Sequence, residues 1–524
     1  MTSPSGRDQF PIGSPDDGSD RAATQAALAI VIAFTLFRCA LAAGLGLGVD
    51  EAYGLGVAHE LHLSYFDHPP LHYWIANILM PLTGDGRLAR LPFILLFAGT
   101  GWLLYLLTRR LFGAVAGALA VLALNLSAFF TLAGGWVLPD GPLLFALLAA
   151  TLALARHLFP AEGEATPSPW ATWLQIGFWL GIAGLSKYHA ALYALGLLAF
   201  FATMPRWRSL LLHPAPWAGA LLALVMVSPV IIWNMQHDWA SIAFQAGRGS
   251  PGGGIKVGNM LANIGGQFIW MFPWIFVPMV VAAWYALREG RANERSWLCL
   301  SLALPTVLIF TLTPLWGERG LPHWQMPGWL MLYPVLGDYL AQIGWRSRRV
   351  VRWASISTVL LVALAGIILG HAATGYGRVL FPAVFAKGDP TLEALEWTGV
   401  RDELNRRGLL DRPGIFIVTT HPIAAGKIDQ AISGQVPVVV MFGETKQYGF
   451  RWDPASFVGR DAIVVGREHT MGRVQAELAP YFESLEELPP FSIGRSGMAE
   501  MPFRIFLARD LRRPLPVSHP TFRP

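Results

Sequence analysis

Long apolar stretches separated by short polar connections run along the chain to about residue 372. Most are long enough to cross the roughly 30 Å hydrocarbon core of a bilayer as a helix. The stretches lie near 23–47, 88–108, 112–133, 142–159, 170–186, 188–204, 217–236, 265–287, 298–315, 328–343 and 353–372. The pattern predicts an α-helical polytopic membrane protein with about 11 transmembrane helices over 23–372. The polar residues 1–22 before them are predicted to form a disordered tail.

After residue 372 the pattern changes to short runs rich in β-branched residues. These runs cover 414–420, 436–441, 461–465 and 503–507. Between them, 391–408 and 470–486 show helix-like spacing of apolar positions. Alternating strands and helices are typical of an α/β unit. We therefore expect a small C-terminal α/β domain over 373–524.

The composition agrees with a membrane protein. Apolar residues make up 54% of the chain and charged residues 14%, whereas a soluble domain carries roughly 25% charged residues. This excludes a disordered chain and argues strongly against a soluble enzyme of this length. A net charge of +5 gives little support to nucleic-acid binding, and we expect no nucleic-acid partner. Cys39 and Cys299 form no CxxC pair, so we expect neither a zinc site nor a disulfide.

The distribution of arginine predicts the topology. One set of connections is rich in arginine: Arg109, Arg110, Arg156, Arg206, Arg208, Arg288, Arg291, Arg295, Arg346, Arg348, Arg349 and Arg352. The positive-inside rule makes this set cytoplasmic. The N-terminus is then predicted to be cytoplasmic. The 49–87 loop and residues 373–524 are predicted to lie outside.

The 49–87 loop gathers ionisable residues at one membrane face. Asp50 and Glu51 directly follow the first apolar stretch, and helical spacing of Leu55, Ala58, His59 and His62 predicts an interfacial helix. The segment 65–70 must be an extended turn, because each proline disfavours helix at the residue before it. Asp67 and His68 lie in this turn. They could be solvated interfacial residues, but four ionisable groups beside a rigid Pro-Pro favour a functional site.

Several motifs in this order resemble one family of membrane enzymes. They are Asp50-Glu51, the Tyr65-Phe-Asp-His-Pro-Pro-Leu71 turn, Leu138-Pro-Asp-Gly-Pro-Leu143, Gly184-Leu-Ser-Lys-Tyr188, Ser228-Pro-Val-Ile-Ile-Trp-Asn234 and Pro322-His-Trp324. Together they resemble the bacterial branch of the C-type (GT-C) glycosyltransferases, in the membrane transferases of families 39 and 83. That branch includes protein O-mannosyltransferases and transferases that add aminoarabinose to lipid A. The resemblance covers about residues 25–340.

The resemblance implies transfer of a sugar from a polyprenyl-phosphate donor to an acceptor outside the membrane, without a nucleotide cofactor. By the family match Asp50 is the general base, because a carboxylate can take the proton of the attacking acceptor. Glu51 would either orient the catalytic site or cap the interfacial helix through its dipole. The sequence does not decide between these two roles.

The resemblance also implies cations that hold the departing phosphate. Lys187 is the best candidate, with snorkelling to the interface as the alternative. His68 replaces a basic residue of the lipid A branch, and a neutral imidazole carries no charge near pH 7. Arg38 lies inside the first span and needs a partner there, either in an ion pair or in the donor phosphate. Asp140 either caps the next span or contacts substrate, and Tyr65 of the turn is expected to contact substrate.

The resemblance suggests one cofactor, a divalent metal cation. Asp67 occupies the position of a metal-associated acidic residue in the lipid A branch. His237 and His323 are expected at the same membrane face, and either could join Asp67. Taken alone, each is more often a plain interfacial histidine.

The combined prediction is an integral membrane glycosyltransferase of the bacterial inner membrane that inverts the anomeric centre. Its active site and C-terminal domain are expected in the periplasm. Its partners would be the polyprenyl-phosphate-linked sugar, membrane lipids, and a lipid or protein acceptor, with lipid A, lipopolysaccharide or another envelope glycolipid favoured. A protein O-mannosyltransferase is the alternative within the enzymes. A lipid or solute transporter without chemistry is the alternative outside them, and carboxylates on one outer loop instead of at the bilayer midplane argue against it.

Overall fold

A computed structural model describes residues 17–83, 86–248, 253–317, 319–386, 388–441, 444–496 and 498–516. The helices up to residue 248 are α1 Asp17–Gly44, α2 Val49–Val57, α3 Leu71–Thr83, α4 Leu91–Phe112, α5 Ala114–Asn125, α6 Ala128–Leu132, α7 Asp140–Leu158, α8 Pro169–Ser186, α9 Ala190–Thr203, α10 Pro214–Gln236 and α11 Ala240–Arg248. Those that follow are α12 Val257–Met271, α13 Pro273–Glu289, α14 Glu294–Leu312, α15 Met326–Leu330, α16 Tyr333–Ile343, α17 Arg348–Thr374, α18 Tyr376–Leu380, α19 Thr398–Arg406, α20 Pro422–Ala431 and α21 Val474–Leu478. Most of the predicted tail lies outside the described residues. Residues 17–22, which we assigned to that tail, belong to α1.

Six helices in the described part of the chain are long and apolar enough to cross a membrane, or eight spans if two bent pairs each count once. Three further predicted spans fall on α8, α9 and the α15–α16 region, where the helices are shorter or less apolar. The chain is therefore a multi-pass membrane protein, and the count of eleven spans stays a prediction. We call the membrane face that carries α2 and α3 the loop face.

Two predicted spans are bent instead of continuous. The 265–287 stretch bends by 110° between α12 and α13, where Phe272 has a positive φ of 64° and Pro273 starts the next helix. The 112–133 stretch bends by 84° after α5, and Ser127 there has extended backbone angles. Uniform hydrophobicity conceals such breaks, because apolar residues predict burial but not helix direction.

The C-terminal residues form one five-stranded sheet with the order β2-β1-β3-β5-β4. The strands are β1 Phe416–Thr419, β2 Val438–Val440, β3 Ala462–Arg467, β4 Phe482–Arg495 and β5 Met498–Leu511. The first three strands are parallel, and β5 pairs antiparallel with both β3 and β4. The predicted helix over 470–486 is wrong in its second half, because Phe482 already begins β4 and pairs with Leu511.

The sheet docks on the loop face. A single apolar core joins Leu55 of α2 and Tyr73 of α3 to Ile417 of β1 and Ile428 of α20. Contact between α2 and α20 is so close that a Cβ atom on Gly426 would lie 2.4 Å from the Tyr53 Cα. The loop that carries the predicted catalytic residues is therefore held between the helical bundle and the C-terminal sheet.

Candidate active site

Asp50 occupies the first turn of α2, and its side chain is exposed to solvent. Protein around the carboxyl group still reduces its hydration, and this desolvation raises the pKa of Asp50. Asp67 and Glu51 also raise it, whereas Lys446 and Lys187 lower it. These groups are thus within electrostatic range of Asp50. An accessible carboxylate with a raised pKa suits a general base, whose pKa should approach the working pH.

Glu51 is fully buried beside Asp50 and has another role. Its carboxylate accepts hydrogen bonds from the backbone N–H of Gly48 at 2.9 Å and of Val137 at 3.1 Å. It also pairs with the guanidinium of Arg90, whose Nε lies 2.8 Å from Oε1. With both oxygens occupied, Glu51 cannot act on a substrate in this arrangement. Of the two open roles, the structure supports the cap, which fixes the start of α2.

The 65–70 turn holds Asp67 against both α2 and the C-terminal domain. One Asp67 oxygen accepts a hydrogen bond from the Tyr53 hydroxyl, and the other lies 3.7 Å from Lys446 Nζ. The Tyr53 hydroxyl in turn accepts the Gln447 backbone N–H at 3.0 Å. Tyr65 is buried and donates its hydroxyl to the Glu60 carbonyl at 2.8 Å, a contact that stabilises the turn. The expected contact of Tyr65 with substrate stays a prediction.

His68 lies among positive charges. Desolvation lowers the pKa of His68 well below its usual value, and His72, Lys187, Lys446 and Arg248 lower it further. The imidazole is therefore neutral at physiological pH. A neutral His68 can offer a hydrogen bond to a phosphate, but the positive charge must come from the surrounding lysines and Arg248.

Lys187 and Asp140 form a buried ion pair at the loop-face ends of two neighbouring spans. Lys187 Nζ lies 2.9 and 3.0 Å from the two Asp140 carboxylate oxygens. Asp140 begins α7 and Lys187 directly follows α8. Each side chain is about 5% exposed. The pair neutralises two charges that could not otherwise lie here, since an unpaired buried charge is costly.

Arg38 is buried in α1 and forms no ion pair in the part of the chain that the structure describes. It donates instead to the carbonyl oxygens of Phe34 at 3.2 Å and Phe130 at 2.9 Å. Its guanidinium also lies 4.3 Å from the Phe97 ring centroid. The ion-pair interpretation is thus not supported, because backbone carbonyls and an aromatic face take its place.

The metal candidates have separate partners. His237 stacks on Trp233 with ring centroids 4.1 Å apart, and its Nδ1 lies 2.7 Å from the Trp233 carbonyl. His323 stacks on Phe129, and burial lowers the pKa of His323 to about 4. Among the described residues, no group of three or more His, Cys, Asp or Glu side chains is arranged to hold a metal ion. Because Lys446 also faces Asp67, the residues do not fit a divalent cation.

Two cations near Asp50 and His68 were not singled out from the sequence. Lys446 begins a short 3₁₀ helix after β2, and its Nζ lies 5.3 Å from the Tyr53 ring centroid. Arg248 ends α11, with its guanidinium 4.3 Å from the Phe244 ring centroid. The position of Lys446 beyond the carboxyl end of a parallel strand is the one sequence signal that could have drawn attention to it.

Comparison with solved structures shows that the fold is similar to that of membrane glycosyltransferases, and the predicted resemblance to GT-C glycosyltransferases is confirmed. In structure, the chain is similar to ArnT from Cupriavidus metallidurans bound to undecaprenyl phosphate. The TM-score is 0.64 at 16% identity, over 94% of this chain and 98% of that one. The apo form of that protein matches with a TM-score of 0.58 at 15% identity, over 91% of this chain and 97% of that one.

The relatives found by sequence comparison are also named as transferases of sugars. Residues 67–233 match the family described as dolichyl-phosphate-mannose-protein mannosyltransferase. The lipid A galacturonosyltransferase RgtD of Rhizobium johnstonii is 27% identical over 54% of this chain and 59% of its own length. The undecaprenyl phosphate-alpha-4-amino-4-deoxy-L-arabinose arabinosyl transferase of Edwardsiella ictaluri is 24% identical over 62% of this chain and 60% of its own length. The chain thus spans about three fifths of the length of these curated relatives.

Proposed function

We propose that this protein is an integral membrane glycosyltransferase that moves a sugar from a polyprenyl-phosphate donor to an envelope glycolipid such as lipid A. The observation that carries the proposal is the accessible Asp50 carboxylate within electrostatic range of Lys187 and Lys446. The names of the two curated relatives support both a polyprenyl-phosphate donor and a lipid A acceptor.

The proposed reaction is a single displacement. An acceptor oxygen attacks the anomeric carbon as the bond from that carbon to the donor phosphate oxygen breaks, so the anomeric centre inverts. Asp50 takes the proton of the attacking hydroxyl, which typically contributes about 10²–10⁴-fold to the rate. The polyprenyl phosphate leaves with the bonding electron pair, and its negative charge is stabilised by the nearby cations.

The cations differ in how strongly their present partners hold them, and therefore in how readily each can bind that phosphate. Lys446 is about a quarter exposed and stays 3.7 Å from Asp67, so it can turn towards a stronger anion. Lys187 remains a candidate, but a phosphate would have to share it with Asp140. Arg248 acts electrostatically on His68 and supplies a planar guanidinium suited to phosphate oxygens. Arg38 stays a weaker candidate because backbone carbonyls occupy it. No step in this scheme passes through a metal.

The arginine-rich connections support an orientation in which the loop face is periplasmic and the N-terminus cytoplasmic. The protein would then reside in the bacterial inner membrane, with the C-terminal sheet in the periplasm. In this orientation the lipid carrier delivers the sugar to the site, and no nucleotide sugar is needed.

The second candidate is a protein O-mannosyltransferase, which the match of residues 67–233 favours. Mass spectrometry of envelope glycolipids and secreted proteins, from cells with the wild-type protein or with Asp50→Asn, separates the two. We expect a glycolipid to lose the mass of one sugar in the variant. A sugar lost from protein serine or threonine instead would establish the second candidate.

A purified assay with donor lipid tests the chemistry itself. Asp50→Asn should lower the transfer rate by about 10²–10⁴-fold. Asp238→Asn is the matched control, because Asp238 is exposed and its positive φ of 50° is tolerated by asparagine. Unchanged transfer by the folded Asp50→Asn protein would overturn the assignment and leave a transporter as the better interpretation.

A further inference from the structure

The C-terminal domain contains a cavity that the proposed reaction does not use. It is open to solvent on one side, and its volume is about 410 Å³, enough for a small polar ligand. The residues that line it come from the segments after β1 and β3: Thr420, His469, Thr470, Gly472, Arg473, Val474 and Glu477.

Sheet topology explains why the cavity lies there. Strand β1 lies between β2 and β3 and runs parallel to both. From β1 the chain passes through α20 to β2 at one edge of the sheet, and from β3 it passes through α21 to β4 at the other edge. The segments leaving β1 and β3 therefore turn in opposite directions. Such a switch point opens a crevice at the carboxyl ends of the strands, where ligands bind in open α/β sheets.

The side chains around the cavity can recognise an anion and hydroxyl groups together. Arg473 is exposed and forms no ion pair within the described ranges, so its guanidinium is available to a phosphate. Thr470 donates its hydroxyl to the Arg467 carbonyl at 2.8 Å and keeps its oxygen as an acceptor. Glu477, half-buried, can accept hydrogen bonds from sugar hydroxyls. A Cβ atom on Gly472 would meet no atom within 4 Å, so the backbone there is open to a ligand.

The cavity and the candidate active site share one edge of the domain. Lys446 follows β2, and Thr420 and His421 follow β1. His421 lies within electrostatic range of Lys446, whose Nζ is 3.7 Å from Asp67. The cavity therefore lies on the same edge of the domain as Lys446, which faces the first long loop.

We infer that this cavity binds a phosphorylated saccharide, the headgroup of the acceptor glycolipid. The inference rests on the proposed function for the identity of the acceptor, but not for binding itself. Arg473 would hold the phosphate, and Thr420, Thr470 and Glu477 would hold sugar hydroxyls. The cavity is thus a recognition site that selects the acceptor away from the reacting atoms.

Calorimetric titration of the full-length protein in detergent, without donor lipid, tests the inference. A hexose 1-phosphate should bind, and Arg473→Ala should weaken its binding at least about tenfold. Arg513→Ala is the matched control, because Arg513 is also exposed but lies far from the cavity. It follows β5, whose last residues pair with the start of β3, whereas the cavity lies at the end of β3. Its binding should equal that of the wild type.

Three results would overturn the inference: no binding of the hexose phosphate, equal binding by the Arg473→Ala protein, or equally tight binding of inorganic phosphate. Failure of the proposed reaction leaves this test intact, because no transfer is measured. Asp50→Asn should bind the hexose phosphate as the wild type does. If transfer is observed, Arg473→Ala should raise the acceptor KM about tenfold and leave kcat and the donor KM unchanged.

Discussion

Lys446 of the C-terminal domain lies 3.7 Å from Asp67 of the first long loop, so two distant parts of the chain meet at the candidate active site. The contact places a positive charge where it also lowers the pKa of Asp50. A residue from the sheet domain thus tunes the proposed base.

The pH dependence of transfer should reveal this influence. A general base works when deprotonated, so activity should fall as pH drops through the pKa of Asp50, which lies above its usual value of 3.8. Lys446→Met removes a charge that lowers this pKa, so the acidic limb of the pH–rate profile should move to higher pH. Lys256→Met is the control, since Lys256 is not among the charges acting on Asp50. A limb that stays in place, or moves to lower pH, would contradict the arrangement.

Lys187 and Asp140 should stabilise the fold mainly through their interaction with each other. Lys187→Met should destabilise the protein by about 3–5 kcal/mol, because it leaves Asp140 buried without a counter-charge. Adding Asp140→Asn should recover part of that loss, since the unpaired charge is gone. Thermal unfolding in detergent measures both. A double variant less stable than Lys187→Met alone would show that the two residues act independently.

Glu51 and Asp50 are neighbours with opposite expected phenotypes. Glu51→Gln leaves Arg90 buried without its charge partner and should lower stability by about 3–5 kcal/mol. Asp50→Asn alters an exposed side chain and should leave stability within about 0.5 kcal/mol of the wild type. Unfolding curves of the two proteins check this contrast. Equal stability of both variants would return Glu51 to the catalytic candidates.

Docking of the sheet domain depends on the absence of a side chain at Gly426. Gly426→Ala places a Cβ atom 2.4 Å from the Tyr53 Cα, so α2 and α20 must separate. We expect a loss of about 1–3 kcal/mol and slower transfer, because Lys446 moves away from Asp67. Gly247→Ala, in a helix with open space, is the control and should be nearly neutral. Limited proteolysis between α17 and β1 should detect the loosened domain, and a protease-resistant Gly426→Ala protein would count against tight docking.

Sequence patterns predicted the features that depend on residues close together in the chain. Apolar stretches located the helices, and the prolines after His68 placed the turn before α3. Asp50 and Asp67 lie in the same loop, so the sequence alone predicted that they are close together. The position of Lys446 after a predicted strand is visible in the sequence, but its approach to Asp67 could not be predicted, because it depends on the packing of α20 against α2. The helical prediction for 470–486 failed for a similar reason: pairing with β5 overrides local spacing at Phe482.

The meeting of Asp67 with Lys446 also has a consequence for biosynthesis. The loop emerges early during translation, whereas Lys446 follows only after the long apolar helices up to α17 have been synthesised. A nascent chain therefore lacks the positive charge of Lys446 beside Asp67 until the C-terminal domain has folded onto the helical bundle. Under the proposed function, transfer would therefore require completed assembly, and a product truncated before Lys446 would lack one of the cations proposed to stabilise the donor phosphate.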